Sequence, residues 1–217
     1  MKTSDVELGF LALPERGPSP GVVMIHDVWG LSAHTRDYAA RLAREGFAVL
    51  AIDLYRRAPP AKIEDPGAWI RALPETNSRV GVLGFCMGGM YALMAGCADL
   101  GFAASVPFYG LLSHAHGLLH DPAGPDRARK PREPIAMAAE LRCPLLAFFG
   151  DQDSFIPQSD VQALERELTG ARAGAEIVVV PGAGHAFMND TRPDAYRPEA
   201  AADAWRRTVE FLRAQLS

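Results

Sequence analysis

Residues 80–93 read Val80-Gly81-Val82-Leu83-Gly84-Phe85-Cys86-Met87-Gly88-Gly89-Met90-Tyr91-Ala92-Leu93. A β-branched apolar run closes on Gly84, a cysteine stands two residues later, two more glycines follow, and small and apolar residues then continue at helical spacing. This spells a strand, a sharp turn and a helix. Gly84 and Gly88 suit a turn at which strand and helix backbones nearly touch, because a residue without Cβ tolerates that geometry cheaply. Cys86 is left at the tip, at the positive end of the helix. A thiol there is expected to lose its proton more readily than at the reference value of about 8.5. The plainer alternative is a small buried hydrophobe beside a tight turn. The choice between them depends on whether an acid and a histidine follow at suitable places.

Outward from this stretch, the chain alternates strand and helix patterns. Val6 to Leu13 alternates weakly and ends at Pro14, which predicts an edge strand before the loop Glu15 to Gly21. Val22 to His26 and Phe47 to Ile52 are continuous apolar runs of the kind buried on both faces of a parallel sheet. Between them a helix begins at Ser32 or His34 and stops at Gly46. Arg56 to Ser78 is Pro-rich and polar, with room for a short helix around Trp69 to Leu73. Ala104 to Tyr109, Pro144 to Phe149 and Glu176 to Val180 read as further strands, and Val161 to Leu168 and Ala200 to Leu216 as helices. The predicted fold class is α/β, a doubly wound, mostly parallel sheet in a single domain spanning residues 1–217, with its active site at the carboxyl ends of the strands.

The 217 residues suffice for one well-buried domain, and no internal repeat is visible. Nearly half of them are apolar and the net charge is −4, which suggests neither disorder nor a nucleic-acid surface. No stretch is apolar enough for a secretory leader or a membrane span, so a cytoplasmic protein without membrane partners is expected. Three cysteines, Cys86, Cys97 and Cys143, make no disulfide framework and fit a reducing compartment with one thiol kept for chemistry. The irregular excursion from about 110 to 142 carries His114, His116 and His120 and reads as a lid or loop. Its histidines lack the cysteine and carboxylate spacing of a zinc site, so no metal and no cofactor is expected.

Two later loops supply acid and base. After the strand ending at Phe149 comes Gly150-Asp151-Gln152-Asp153-Ser154-Phe155-Ile156-Pro157, where either aspartate could orient an imidazole and either could instead be a turn former or helix cap. After Val180-Pro181 comes Gly182-Ala183-Gly184-His185-Ala186-Phe187, a histidine in a glycine-flanked loop placed to reach back over the sheet edge. Nucleophile, acid and histidine follow the chain order of α/β-hydrolases, in which G-x-S-x-G forms the nucleophile elbow; here Cys86 takes the serine's place. The oxyanion of a tetrahedral intermediate needs two donors, one of them worth about 3 kcal/mol. The Met87 amide is one candidate. The Val28 amide, in the loop after the strand ending at His26, is the second, with Trp29 either walling the site or serving as a core aromatic.

These pieces, Asp27-Val28-Trp29-Gly30, Asp53-Leu54-Tyr55, Gly84 to Gly89, Asp153 to Pro157 and Gly184 to Phe187, resemble the dienelactone hydrolase family over most of the chain. The resemblance implies a Cys86, His185, Asp153 triad and hydrolysis of a small-molecule ester or lactone through a thiol ester. It also implies that Asp27 interacts with the cysteine and helps control its ionisation, and that Tyr109, Phe187 and Asn189 belong to the pocket. Asn189 stands where the family carries a substrate-binding arginine, and the segment holding a second such arginine is shorter here. Arg56, Arg57 and Arg192 are the candidate replacements, although for any one of them a solvated surface charge is the more ordinary reading. Substrate identity and oligomeric state are left open. The rival reading keeps the fold but makes the protein a ligand-binding or thiol-redox module without turnover, a role that does not require Asp153 and His185.

Overall fold

A computed structural model describes residues 1–56, 66–115, 132–171 and 173–217. The apolar runs form one eight-stranded sheet. Its strands are β1 (Lys2–Val6), β2 (Gly9–Leu13), β3 (Ser19–Ile25), β4 (Ala48–Ile52), β5 (Thr76–Phe85), β6 (Ala104–Phe108), β7 (Leu145–Gly150) and β8 (Ala175–Val180). Their spatial order is β1-β2-β4-β3-β5-β6-β7-β8, antiparallel at the β1-β2-β4 end and parallel from β4 to β8. The helices are α1 (Ala33–Arg44), α2 (Pro66–Arg71), α3 (Met87–Cys97), α4 (Gln158–Leu168) and α5 (Pro198–Leu216), with a 3-10 helix at Ile135–Glu140.

Side-chain alternation along the strands decides which helix covers which face. Val22, Met24, Val49, Ala51, Leu83 and Phe85 join the cluster of Tyr38 and Leu42 from α1 and Leu212 from α5. Val23, Ile25, Leu50, Ile52, Val80 and Val82 pack with Ile70 of α2 and Ala92 of α3. Both faces are covered, which is why these strands read as unbroken apolar runs. The register then sets the level of the catalytic rim. Ile25 pairs with both Ile52 and Gly84, and Phe108 pairs with both Phe85 and Phe148. The loops after β3, β4, β5, β6 and β7 therefore leave the sheet side by side.

Several boundaries differ from the sequence expectation: α2 is Pro66–Arg71 rather than Trp69 to Leu73, β5 begins at Thr76 within the stretch read as a polar loop, and two further differences concern the start of the chain. The single edge strand over Val6 to Leu13 is instead a hairpin, with Glu7 and Leu8 at the turn and residues 2–6 as its outer strand. Polar Lys2-Thr3-Ser4-Asp5 suits an exposed edge and gives no apolar signal. β3 begins at Ser19 rather than Val22, because the Ser19 amide donates to the Glu75 carbonyl at 2.8 Å and the ladder absorbs Pro20 at an irregularity between Ser19 and Gly21. Ser32 is confirmed as the cap of α1, its side chain accepting from the Thr35 amide.

The excursion over 110–142 is described only at its ends. Leu111, Leu112 and Ala138 are buried, and Glu133 accepts from the His114 amide at 3.0 Å, so both ends are anchored to the core. His116 and His120 lie outside the described residues. Among the described residues no helix is long and apolar enough to cross a membrane, and no group of three or more histidine, cysteine or acidic side chains is arranged to hold a metal.

Candidate active site

β5 ends at Phe85 and α3 begins at Met87, which leaves Cys86 alone to turn the chain, with φ 54° and ψ −114°. A β-carbon on Gly84 would stand 2.1 Å from the Gly88 carbonyl oxygen, and one on Gly88 would stand 2.1 Å from the Ile25 oxygen. Neither position admits any other residue without moving backbone. The turn is fixed by the Cys86 amide donating to the Phe108 carbonyl and the Met90 amide donating to the Cys86 carbonyl, both at 3.0 Å. Among the described residues, Ser78, Cys86, Tyr109 and Ala186 are the non-glycine residues at positive φ. Three of the four stand at this site, where strain is commonly stored.

Asp153 and His185 come together from the loops after β7 and β8, with Oδ2 to Nδ1 at 2.7 Å. The other Asp153 oxygen accepts from the Phe155 amide at 2.8 Å, which fixes the carboxylate's plane. Asp151, the competing acid, instead accepts from the Gly182 amide at 2.7 Å and ties the two loops together. A carboxylate at Nδ1 places the ring proton there and leaves Nε2 as the free lone pair. Nε2 is buried and has no partner of full hydrogen-bond geometry, yet the Cys86 thiol is near enough to act on the ring. Burial disfavours the imidazolium, but the hydrogen bonds and charges of Asp153 and Cys86 outweigh it and lift the His185 pKa from 6.5 to about 9. Cys97 and Cys143 are also buried, and burial pushes their thiols up to about 12 and about 11.

The loop after β3 is held from several sides. His26 is fully buried; its Nδ1 bonds the Asp27 carbonyl and its Nε2 accepts from the Leu54 amide at 3.0 Å, so the neutral Nδ1-protonated ring joins the loops after β3 and β4. The Tyr55 hydroxyl donates to the Val28 carbonyl at 2.9 Å. Asp27 accepts from the Trp29 amide at 2.9 Å, a turn role made by its own carboxylate. Among the described residues the Val28 amide donates to nothing, and the Met87 amide, first in α3, has no intrahelical carbonyl to meet.

Asp27, Val28, Trp29, Cys86, Phe155, His185, Ala186 and Arg192 line one cavity of about 320 Å³. Tyr109, Phe187 and Asn189, expected in the pocket, are not among its lining residues. Tyr109 is buried with its ring edge-on to His185 at 5.0 Å, and burial, followed by the charges of Asp27 and Cys86, holds its phenol well above the usual range. Phe187 is fully buried behind Tyr109. Asn189 accepts from the Thr191 amide and hydroxyl at 3.0 and 2.6 Å, so its side chain is used in a turn. Of the candidate arginines, Arg192 reaches the cavity, paired with Asp194 at 2.8 Å. Arg56 donates to the Val6 and Glu7 carbonyls and braces the hairpin, and Arg57 lies outside the described residues. Phe155, whose ring meets His185 edge-on at 5.0 Å, and Tyr55 lie within the motifs but carry no functional signal of their own in the sequence.

A mostly parallel sheet with a strained cysteine between β5 and α3, and a histidine and an acid in the loops after β8 and β7, defines an α/β-hydrolase. The comparisons with known proteins narrow the class. The profile of the dienelactone hydrolase family matches residues 8–67 and 61–216, and the chain belongs to that family of hydrolases. It is 31% identical over 221 residues to a protein of Escherichia coli (strain K12) provisionally named a carboxymethylenebutenolidase, covering 91% of this chain and 78% of the other. It is also 31% identical over 230 residues to a Bradyrhizobium protein provisionally named a 2-oxo-3-(5-oxofuran-2-ylidene)propanoate lactonase, covering 95% and 88%. The crystal structure of a provisionally named dienelactone hydrolase from Klebsiella pneumoniae superposes with a TM-score of 0.77 at 30% identity, covering 94% of this chain and 91% of that one.

Proposed function

We propose that the protein hydrolyses a small carboxylic ester or lactone by a Cys86, His185, Asp153 triad. The observation that carries this reading is the 2.7 Å Asp153–His185 pair, with the second ring nitrogen buried, short of a full hydrogen bond, beside Cys86. A thiol-sensing module has no need of that pair. The Cys86 proton passes to His185, which its pair with Asp153 keeps protonated through neutral pH, and the thiolate attacks the carbonyl carbon, forming a C–S bond and a tetrahedral oxyanion. The Met87 and Val28 amides, neither engaged elsewhere among the described residues, receive the oxyanion. Collapse breaks the C–O bond, and the imidazolium protonates the departing alkoxide. Water, deprotonated by His185, then attacks the thiol ester; the acid leaves and Cys86 recovers its proton.

Asp153 holds the imidazole in the required tautomer and stabilises its charged form. Asp27 shares the cavity with Cys86, its carboxylate braced by the Trp29 amide. Arg192 at the cavity wall is the cation that a substrate carboxylate would meet. Turnover of p-nitrophenyl acetate and of an unsaturated γ-lactone, with Cys86→Ala and His185→Ala as controls, tests the mechanism. Loss of turnover in both variants is expected; an intact rate in either one overturns it.

A further inference from the structure

We infer that the apolar part of the substrate lies in a groove along α3, reached from Cys86 across Val28 and Tyr55. This rests on the hydrolase reading above and adds to it the chemistry of the substrate, an ester or lactone bearing an alkyl chain. A cavity of about 310 Å³ is lined by Ile25, Leu54, Tyr55, Met87 and Tyr91. A second, of about 370 Å³, has Ile25 and Tyr91 in its walls as well, together with Met94, Ala95, Leu100 and Phe102. The shared residues make the two one path. Met87, Tyr91, Met94 and Ala95 recur at i, i+4, i+7 and i+8, so the path follows one face of α3, and Met87 to Ala95 spans about 12 Å.

The path begins at the reaction centre. Met87 is the residue after the nucleophile, and its sulfur lies 4.0 Å from the Tyr55 hydroxyl, which is itself bonded to the carbonyl of cavity-lining Val28. The bonded pair Tyr55 and Val28 therefore stands between the groove and the cavity that holds Cys86. The exposed apolar surface has the same distribution. Of the eight large apolar side chains exposed among the described residues, Leu54, Tyr55, Tyr91 and Leu100 line this path, and Val28, Trp29 and Phe155 line the catalytic cavity. Surface this apolar and this concentrated marks a binding site. Its continuity with the nucleophile selects a substrate chain over a protein partner as the occupant.

The test uses the full-length protein and two chain-length series. The first is kcat/KM for p-nitrophenyl butyrate, hexanoate and octanoate below their micellar concentrations. The second is the rate at which N-ethylmaleimide and N-octylmaleimide label Cys86, read from the mass of the Cys86 peptide. Burying a methylene is worth roughly a fourfold gain, so an octanoate-to-butyrate ratio of at least about tenfold is expected, with a matching preference for the octyl maleimide. Ala95→Phe and Tyr91→Trp fill the groove at separate points and are expected to bring both ratios to within about twofold of one. Flat ratios in the unaltered protein, or long-chain preferences that survive both variants, overturn the inference. So does a dimer at assay concentration that Tyr91→Trp disperses, which would assign the groove to a second copy. Esters cleaved with flat ratios sink the groove and leave the hydrolase reading standing; if neither these esters nor the unsaturated γ-lactone is cleaved, that reading fails and the maleimide ratio alone decides the groove.

Discussion

The Tyr55 hydroxyl holds the Val28 carbonyl at 2.9 Å, so the loop after β4 grips the main chain of the loop proposed to bind the oxyanion. His26 reinforces the same joint through the Leu54 amide. Tyr55→Phe removes the grip and keeps the ring's packing against His26. Small misplacements of a catalytic donor cost far more in rate than in binding. A fall of about tenfold in kcat, with KM within about twofold, is expected in steady-state kinetics on a short-chain ester.

Asp153 and Asp151 stand two residues apart and are expected to behave differently. Asp153→Asn keeps the shape but presents an amide where His185 Nδ1–H needs an acceptor, and a loss of about 10³ to 10⁴ in kcat should follow. Asp151→Asn weakens a bond to the Gly182 amide at the surface. Its cost should appear in urea denaturation as about 1 kcal/mol or less, with little change in kcat.

With the His185 pKa raised to about 9, the imidazolium persists through neutral pH. Acylation by an alkyl ester or lactone, whose alkoxide must be protonated as it leaves, should decline as pH rises through about 9, when the imidazolium loses its proton, whereas a p-nitrophenyl ester, whose phenolate needs no proton, should not show that decline. Stability follows the same group. A folded-state pKa above the ordinary 6.5 gives stabilisation that is complete below about 6.5 and disappears as pH rises through about 9. The urea midpoint should therefore fall over that window, and His185→Gln should flatten the fall.

Gly84→Ala forces a β-carbon to within 2.1 Å of a carbonyl oxygen, whereas a β-carbon on Gly170 meets nothing within 4 Å. The first substitution should cost at least about 3 kcal/mol or prevent folding. Gly170→Ala should be neutral or stabilising by up to about 1 kcal/mol. Paired denaturant titrations compare the two.

Arg192 is held by Asp194 at an exposed surface pair, which is worth little and is readily exchanged for another carboxylate. Arg192→Gln should raise KM for a carboxylate-bearing lactone by about tenfold and leave KM for a neutral aryl ester within about twofold. Equal effects on both substrates would remove Arg192 from substrate binding.

What could be read from the sequence was what backbone geometry and chemistry constrain tightly. Gly84 and Gly88 had to be glycine for strand and helix to meet, and that alone located Cys86. The continuous apolar runs gave the parallel strands because both sheet faces are covered. Asp153 could not be told from Asp151 by spacing, since both sit in one turn and differ only in which way the carboxylate points; the family resemblance supplied that choice. The family resemblance puts Asn189 in the place of a substrate arginine, but a turn closed by Thr191 takes up its side chain. Arg192, three residues further on, reaches the cavity instead. Phe155 and Tyr55 carry no signal beyond their motifs, because aromatic side chains in loops are equally suited to packing. The outer hairpin strand was missed because it is polar throughout.

The left-handed backbone at Cys86, Tyr109 and Ala186 bears on how this protein could be engineered. Each of these residues gives up local stability to hold one part of the site in place, so Ala186→Gly would relax the chain and raise the melting temperature, whereas at Tyr109 the loss of a fully buried aromatic ring outweighs the relief. Selection for heat resistance alone would favour such relaxed variants, and the same changes would loosen the supports around the imidazole. A thermostable form that remains active should carry its stabilising changes on the surface of α4 and α5, far from these three positions.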